Sequence, residues 1–120
     1  MARSDLSSRQ RAQLDRAIRE AETASRVEFS VFRGTLTADP TGHAAKLHGM
    51  MAAPDRSVLV AVDPKARVIE IVTGAAVRGR LTDAKVRKVV KAMGKSLAAG
   101  DQVGALTDAL AQLAKDARTR

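Results

Sequence analysis

Arginines and aspartates gather around a glycine-containing stretch just before a predicted helix. The stretch contains Gly74, Arg78, Arg80, Thr82 and Asp83, and threonine is a residue type that caps helix N-termini. A helix N-terminus favours anions, and arginine binds carboxylates and phosphates, whereas aspartate oxygens are ligands for hard cations. These residue types therefore allow a metal site, an anion site or simple ion pairing.

A run of cations follows on the predicted helix itself. Seven cations less one aspartate between residues 78 and 95 give +6 of the chain's net charge of +8. The part on the helix, here called the basic stripe, consists of Lys85, Arg87, Lys88, Lys91 and Lys95. At 100° per residue most of the stripe lies opposite the apolar Val/Met face, which is typical of a solvated helix exterior. The same stripe can also contact a polyanion such as nucleic acid.

Several kinds of catalytic and cofactor site are excluded by residue types and spacing. Cysteine is absent, so there is no thiol nucleophile and no disulfide framework. His43 and His48 lie about 140° apart on a helix at 100° per residue, so they do not ligate one ion from a common face. No Gly-x-Ser-x-Gly elbow is present, and Gly74 and Gly79 are too sparse for a dinucleotide or P-loop motif. We expect no cofactor.

Length and composition predict one small domain. The chain has 120 residues and 12.7 kDa, which fits a single domain over residues 1–120. Hydrophobic residues make up 45% but aromatic residues only 2%, with no Trp or Tyr, so platforms for stacking nucleic-acid bases are lacking. No apolar run reaches transmembrane length and no signal-peptide core is seen, which predicts a cytoplasmic protein.

The hydrophobic pattern predicts helices around a mixed sheet. Helices are predicted over about 8–24, over 42–51 with Pro54 ending it, from Thr82 to Gly100, and from Asp101 onward. Strands are predicted over 27–32, 58–62 and 67–72, the last two joined by a turn at 63–66. VLVAV, residues 58–62, is apolar on both faces and is therefore expected to be the central strand. The fold class is α/β, a mixed central sheet sandwiched between helices.

The order of these elements resembles the TPM domain family. The resemblance rests on LSSRQRAQLDRAI, VEFSVF, PDRSVLVAVDPKARVIEIVTG, LTDAKVRKVV and AAGDQVGAL. It covers about residues 5–117 and is nearest to a small cytoplasmic actinobacterial branch of uncharacterised proteins. It implies a mixed sheet between helices, and some members bind calcium or other divalent ions or are reported as acid phosphatases.

The metal-binding motifs of that family are only partly present. The usual rim carries Asp-Asn-Gly before the central strand, and Gly-aromatic-Gly-x-Glu with a later Asp after the hairpin. Asp55, Gly74 and Asp83 match this pattern, whereas the Asn is Arg56 and the Glu is Arg78. The second glycine is also replaced, by alanine at 76. Since hard cations need oxygen ligands, the resemblance implies a rim whose metal site has been lost.

The sequence therefore favours a non-catalytic TPM-like binding module that binds an anionic ligand or an acidic partner surface. The binding region, here called the rim, comprises Asp55, Arg56, Gly74, Arg78, Arg80, Thr82 and Asp83. Three alternatives stay open: surface ion pairs between the rim's arginines and aspartates, a divalent-metal-dependent phosphatase using Asp55 and Asp83, and a nucleic-acid-binding protein using the basic stripe.

Overall fold

The structure, a computed structural model, describes residues 6–118. Its helices and strands are α1 (Ser8–Ser25), β1 (Glu28–Arg33), α2 (Pro40–Gly49), β2 (Ser57–Asp63), β3 (Val68–Thr73), α3 (Asp83–Ala98) and α4 (Gln102–Arg118). A single 3-10 turn, Pro54–Arg56, precedes β2.

The three strands form one mixed sheet in the order β1-β2-β3. β1 runs parallel to β2, and β2 pairs with β3 as an antiparallel hairpin. All seven residues of β2 are buried, which confirms that the continuous apolar run is the central strand. Alternate β2 side chains face opposite sides of the sheet, so both sides must be covered.

Helices cover both sides, so the predicted α/β sandwich is confirmed. On one side, Val58 and Val60 of β2 join a core with residues of α1, α3 and α4. On the other side, Leu59 and Ala61 pack with Ala44 of α2. The larger core therefore lies under three helices, and the smaller one under α2 alone.

Capping residues fix the helix boundaries close to where they are predicted. Ser7 forms a reciprocal capping box with Gln10 at the start of α1. Thr82 caps α3, and the carboxylate of Asp101 accepts the Gly104 N–H at 2.8 Å at the start of α4. Gly100 has φ +86°, the left-handed conformation expected at a helix end.

Several boundaries differ from prediction by one or two residues, the largest differences being at both ends of α2. α2 begins at Pro40 rather than 42, because Asp39 caps the helix and proline is suited to its first position. The same helix ends at Gly49, before Pro54 is reached. In the hairpin turn Arg67 adopts φ +59°, so β3 begins one residue later than predicted.

Candidate functional site

The backbone of the rim is formed by the turn before β2 and the segment after β3. The Gly74 N–H donates to the Ser57 carbonyl at 2.9 Å, which extends the β2–β3 ladder by one pair. Two residues later, the Ala76 N–H donates to the Asp55 carbonyl at 3.0 Å. The structure therefore brings Asp55 and Gly74 together, although 19 positions separate them in sequence.

Gly74 permits this close approach. It is buried, and a Cβ added to it would collide with the backbone carbonyls of Pro54 and Asp55. Those atoms belong to the main chain and do not move like the end of a side chain. A glycine is therefore required here for space, and its side-chain-free backbone holds the two halves of the rim in contact.

Two apolar side chains that sequence reasoning missed anchor the second half of the rim. Val77 and Leu81 are each 1% exposed and belong to the larger core. The Leu81 N–H also donates to the Val77 carbonyl at 2.9 Å. The available signal was their spacing of four, which places two side chains on one side of a helical turn. Between these anchors Arg78 and Gly79 are exposed.

The arginine at 78 is held in place by the sheet. Its Nε donates to the Thr73 carbonyl at 3.2 Å, which leaves the terminal guanidinium nitrogens for other contacts. Arg56 is exposed on the neighbouring turn. Within residues 6–118 no ion pair joins either arginine to Asp55 or Asp83. The structure thus contains none of the arginine–aspartate pairs that were one sequence-based alternative.

The remaining rim residues lie at the start of α3. The Thr82 hydroxyl accepts the Lys85 N–H at 3.4 Å, and the Lys85 ammonium donates to the Arg80 carbonyl at 3.1 Å. Asp83 is exposed in the first turn of α3, where its negative charge interacts favourably with the helix dipole. Arg80 is half-buried. Lys85, predicted in the basic stripe, therefore also supports the rim's backbone.

The rest of the basic stripe continues along α3 beyond the rim. Arg87, Lys88, Lys91 and Lys95 are exposed on α3. A cavity of about 550 Å³ lies between α3 and α4, with Lys85 and Lys88 in its lining and Val89, Met93 and Ala109 among the apolar residues beneath. The sequence did not predict this cavity, because it depends on how α3 and α4 pack.

Both histidines contact backbone groups. His48 is buried with its Nε2 3.0 Å from the Ser57 carbonyl, and the Nδ1 of His43 accepts the Thr37 N–H at 3.1 Å. Over the described residues 6–118, no group of three histidine or acidic side chains is placed to hold a metal ion. None of the helices in that range is long and apolar enough to cross a membrane.

Comparison with known sequences gives a family and two bacterial relatives. A family model described as "Domain of unknown function (DUF5130)" matches residues 2–114. Uncharacterized protein MT2543 (strain CDC 1551 / Oshkosh) and Uncharacterized protein Rv2468c (strain ATCC 25618 / H37Rv), both of Mycobacterium tuberculosis, are each 33% identical over 97 residues. The aligned region is 81% of the chain but only 58% of each relative. The chain thus spans less than two thirds of these relatives.

Three solution structures share the fold. The BA42 protein of Bizionia argentinensis has a TM-score of 0.81 at 19% identity, covering 97% of this chain and 85% of that one. The N-terminal domain of cg2496 from Corynebacterium glutamicum has a TM-score of 0.75 at 17% identity, with coverages of 96% and 75%. The N-terminal domain of a P. gingivalis protein has a TM-score of 0.77 at 18% identity, with coverages of 92% and 75%. At these identities the likeness establishes the fold alone.

Proposed function

Because this chain belongs to the family described as "Domain of unknown function (DUF5130)", which names no activity, we propose a function from the rim itself. The domain is a non-catalytic binding module whose rim binds an anionic ligand or an acidic partner surface. The resemblance to the TPM domain family rests on the sequence motifs alone, and from it we infer that the rim descends from a metal-binding site.

The observation that carries the proposal is a pair of exposed arginines without carboxylate partners. Arg56 and Arg78 have no ion pair within residues 6–118. An exposed ion pair would cancel their charge at little gain in stability. Left unpaired, both guanidinium groups remain available for a bidentate contact with a carboxylate or phosphate.

The rim's backbone supports binding because it is already ordered. The contact of Gly74 with the turn at residues 54–56 and the Ala76 to Asp55 hydrogen bond join its two halves. The Nε of Arg78 is held by Thr73, so less side-chain entropy is lost when a ligand binds. An ordered cationic surface favours binding at lower entropic cost than flexible lysines do.

The residue types at the rim disfavour the phosphatase alternative. Two of the family's oxygen-ligand positions are arginines here, and a guanidinium beside a divalent ion repels it. Asp55 and Asp83 are thereby left with cations in their neighbourhood in the sequence rather than further oxygen ligands. The charge of the rim supports anion binding instead.

Titration of the ¹⁵N-labelled protein with inorganic phosphate and with polyglutamate at low salt tests the proposal. We expect amide shift changes at residues 55–57 and 74–84. Arg56→Gln should weaken binding several-fold because it removes a positive charge from the rim. The fold should be unaffected, since the Arg56 side chain makes no hydrogen bond within residues 6–118. The matched control is Lys91→Gln on the basic stripe, which should change the affinity little.

Three results would contradict the rim proposal. The first is an equal loss of affinity in Arg56→Gln and Lys91→Gln, which would indicate binding through general positive charge. The second is the absence of rim shifts combined with tight, salt-dependent binding of DNA or RNA in gel-shift assays, which would favour the nucleic-acid alternative. The third is phosphate release from a generic ester upon addition of Mg²⁺, which would restore the phosphatase alternative.

A further inference from the structure

The outer edge of β3 lies beside the rim, and we propose that this edge binds an extended acidic peptide segment of another protein as a fourth strand of the sheet. The proposal deepens the proposed function by naming a class of partner, and it rests on that function for the partner's negative charge. The carrying features are the free hydrogen-bonding groups of the edge and the cations at its two ends.

The register of the hairpin shows which backbone groups are free. Antiparallel pairs alternate between residues that exchange hydrogen bonds and residues whose N–H and C=O groups point away from the partner strand. The Gly74 to Ser57 bond marks that pair as hydrogen-bonded. By alternation along the register, Ile69, Ile71 and Thr73 point their backbone groups outward.

Side-chain contacts agree with this assignment. The Thr73 carbonyl, which the register directs outward, accepts the Nε of Arg78. No hydrogen bond within residues 6–118 occupies the outward groups of Ile69 or Ile71. β3 is an edge strand in the described sheet, so these groups are left for water or for another strand.

The two edges of the sheet differ in the charge beside them. On β1, the Phe29 N–H donates to the carboxylate of Glu22 at 3.0 Å, so a charged side chain of α1 lies at the start of that edge and would repel an acidic segment. β3 reads Val-Ile-Glu-Ile-Val-Thr, with strong strand formers and without lysine, proline or a bulge. Its one charged side chain, Glu70, belongs to a residue whose backbone faces β2, and its carboxylate accepts the Thr41 hydroxyl of α2 at 3.2 Å. The β3 edge is therefore better suited than the β1 edge to pairing with a segment whose acidic residues lie at its two ends.

Charge at both ends of the edge selects the partner. Lys65 and Arg67 are exposed in the hairpin turn, and Arg78 is exposed at the opposite end. An added segment with acidic residues beyond each end would meet a cation at both. A second copy of this chain, paired antiparallel about Ile71, would instead bring Arg67 towards the partner copy's residues 75–78. Repulsion between like charges thus favours a foreign acidic strand over self-pairing.

The dimensions and surroundings define the rest of the segment. From Ile69 to Thr73 the edge spans about 13 Å at roughly 3.3 Å per residue, so five extended residues cover it. Ile69 and Ile71 on one side of the sheet, and Val68 and Val72 on the other, are half-buried. Apolar or β-branched side chains in the added strand would pack against these neighbours.

The test uses the capped peptide acetyl-Asp-Glu-Val-Thr-Val-Thr-Val-Glu-Asp-amide with the ¹⁵N-labelled chain. We expect amide shifts at residues 67–73 and at Arg78, and a dissociation constant measurable by calorimetry. A peptide with lysine at the four acidic positions should bind at least 10-fold more weakly. Methylation of the central valine nitrogen, which removes a strand hydrogen bond but keeps every charge, should also weaken binding at least 10-fold.

A matched pair of variants tests the same edge from the protein side. Ile71→Pro removes an outward N–H and should keep the β2–β3 ladder while losing peptide binding, since proline is tolerated at such edge positions. Lys91→Gln, on the basic stripe, should bind the peptide as the unaltered chain does. Hairpin shifts in the Ile71→Pro spectrum verify folding, and the methylated peptide gives the same information if that variant does not fold.

The outcomes separate this proposal from the rim function. Equal binding of the methylated and unmethylated peptides, or shifts confined to residues 55–57 and 74–84, would overturn strand addition while leaving the rim intact. Concentration-dependent self-association through β3, seen by sedimentation, would overturn it in favour of a second copy. Conversely, peptide-induced shifts on β3 combined with an unchanged affinity of Arg56→Gln for phosphate would support strand addition and overturn the rim as an anion site.

Discussion

Replacing Gly74 by alanine tests the close contact that shapes the rim. The new Cβ would meet the carbonyl oxygens of Pro54 and Asp55, so the turn before β2 must move away. Overpacking of this kind costs typically about 1–3 kcal/mol. We expect a loss in the upper half of that range, because the clashing atoms belong to the backbone and not to the end of a flexible side chain. Shifting the turn also threatens the Ala76 to Asp55 hydrogen bond.

Urea unfolding measures this loss, with Gly79→Ala as the matched control. Gly79 lies five residues further along the same segment and has no atom within 4 Å of its Cβ position. An alanine there should leave stability unchanged or raise it by about 0.4–1 kcal/mol. For Gly74→Ala, a loss of about 2 kcal/mol lowers the midpoint by roughly 1 M, since small domains have m near 1–3 kcal/mol/M. Equal midpoints for the two variants would refute the argument that Gly74 is required for space.

Three further outcomes follow from the core, from Asp63 and from the rim charge. Leu59→Ala should lower the free energy of unfolding by about 2–5 kcal/mol, because the Leu59 side chain is only 2% exposed. The control Met50→Ala, at a residue that is 80% exposed, should change it by no more than about 0.5 kcal/mol. A similarly small loss for Leu59→Ala would contradict its place in the core. Hydrogen bonds from the Leu36 N–H and, to a smaller extent, the Ala66 N–H lower the pKa of Asp63 below its ordinary value of 3.8. The ionised Asp63 carboxylate therefore stabilises the fold above about pH 4, and this stabilisation is lost as the pH falls through the folded-state pKa. Asp63→Asn should therefore flatten the acid limb of a stability profile from pH 6 to 2, and an unchanged limb would contradict this role. Millimolar Ca²⁺ or Mg²⁺ should leave the melting temperature unchanged, since a ligand that does not bind the native state cannot stabilise it; a rise of several degrees would show a metal site.

The local signals in the sequence were strong enough to predict the fold. Ser7 with Gln10, Thr82, Gly100 and Asp101 each have a residue type that suits one end of a helix, and the structure places them there. The apolar run of β2 predicted its burial because a strand covered on both faces has no polar alternation. Boundaries failed where a side chain acted unexpectedly, as Asp39 does by starting α2 before the predicted residue.

The site was harder to predict because its shape depends on contacts between distant residues. The clash that requires Gly74 involves the carbonyls of Pro54 and Asp55, and no periodicity encodes that distance. Val77 and Leu81 lie in a segment with glycine and arginine neighbours, so their burial was hidden by the polar surroundings. The hydrogen bond from Arg78 to Thr73 likewise becomes visible only after the chain turns back at residues 74–77.

Arg78 connects the rim and the edge of the sheet through one side chain. A glutamate at this position would have only acceptor oxygens when ionised, so it could not donate a hydrogen bond to the Thr73 carbonyl. Arginine reverses the charge and at the same time supplies the Nε–H that Thr73 accepts. Arg78 therefore satisfies the last outward carbonyl of β3 and leaves a cation at the point where the strand ends. In the two proposals made above, recognition at the rim and pairing at the edge share this residue, so a partner that uses both must carry its acidic group beside its extended segment.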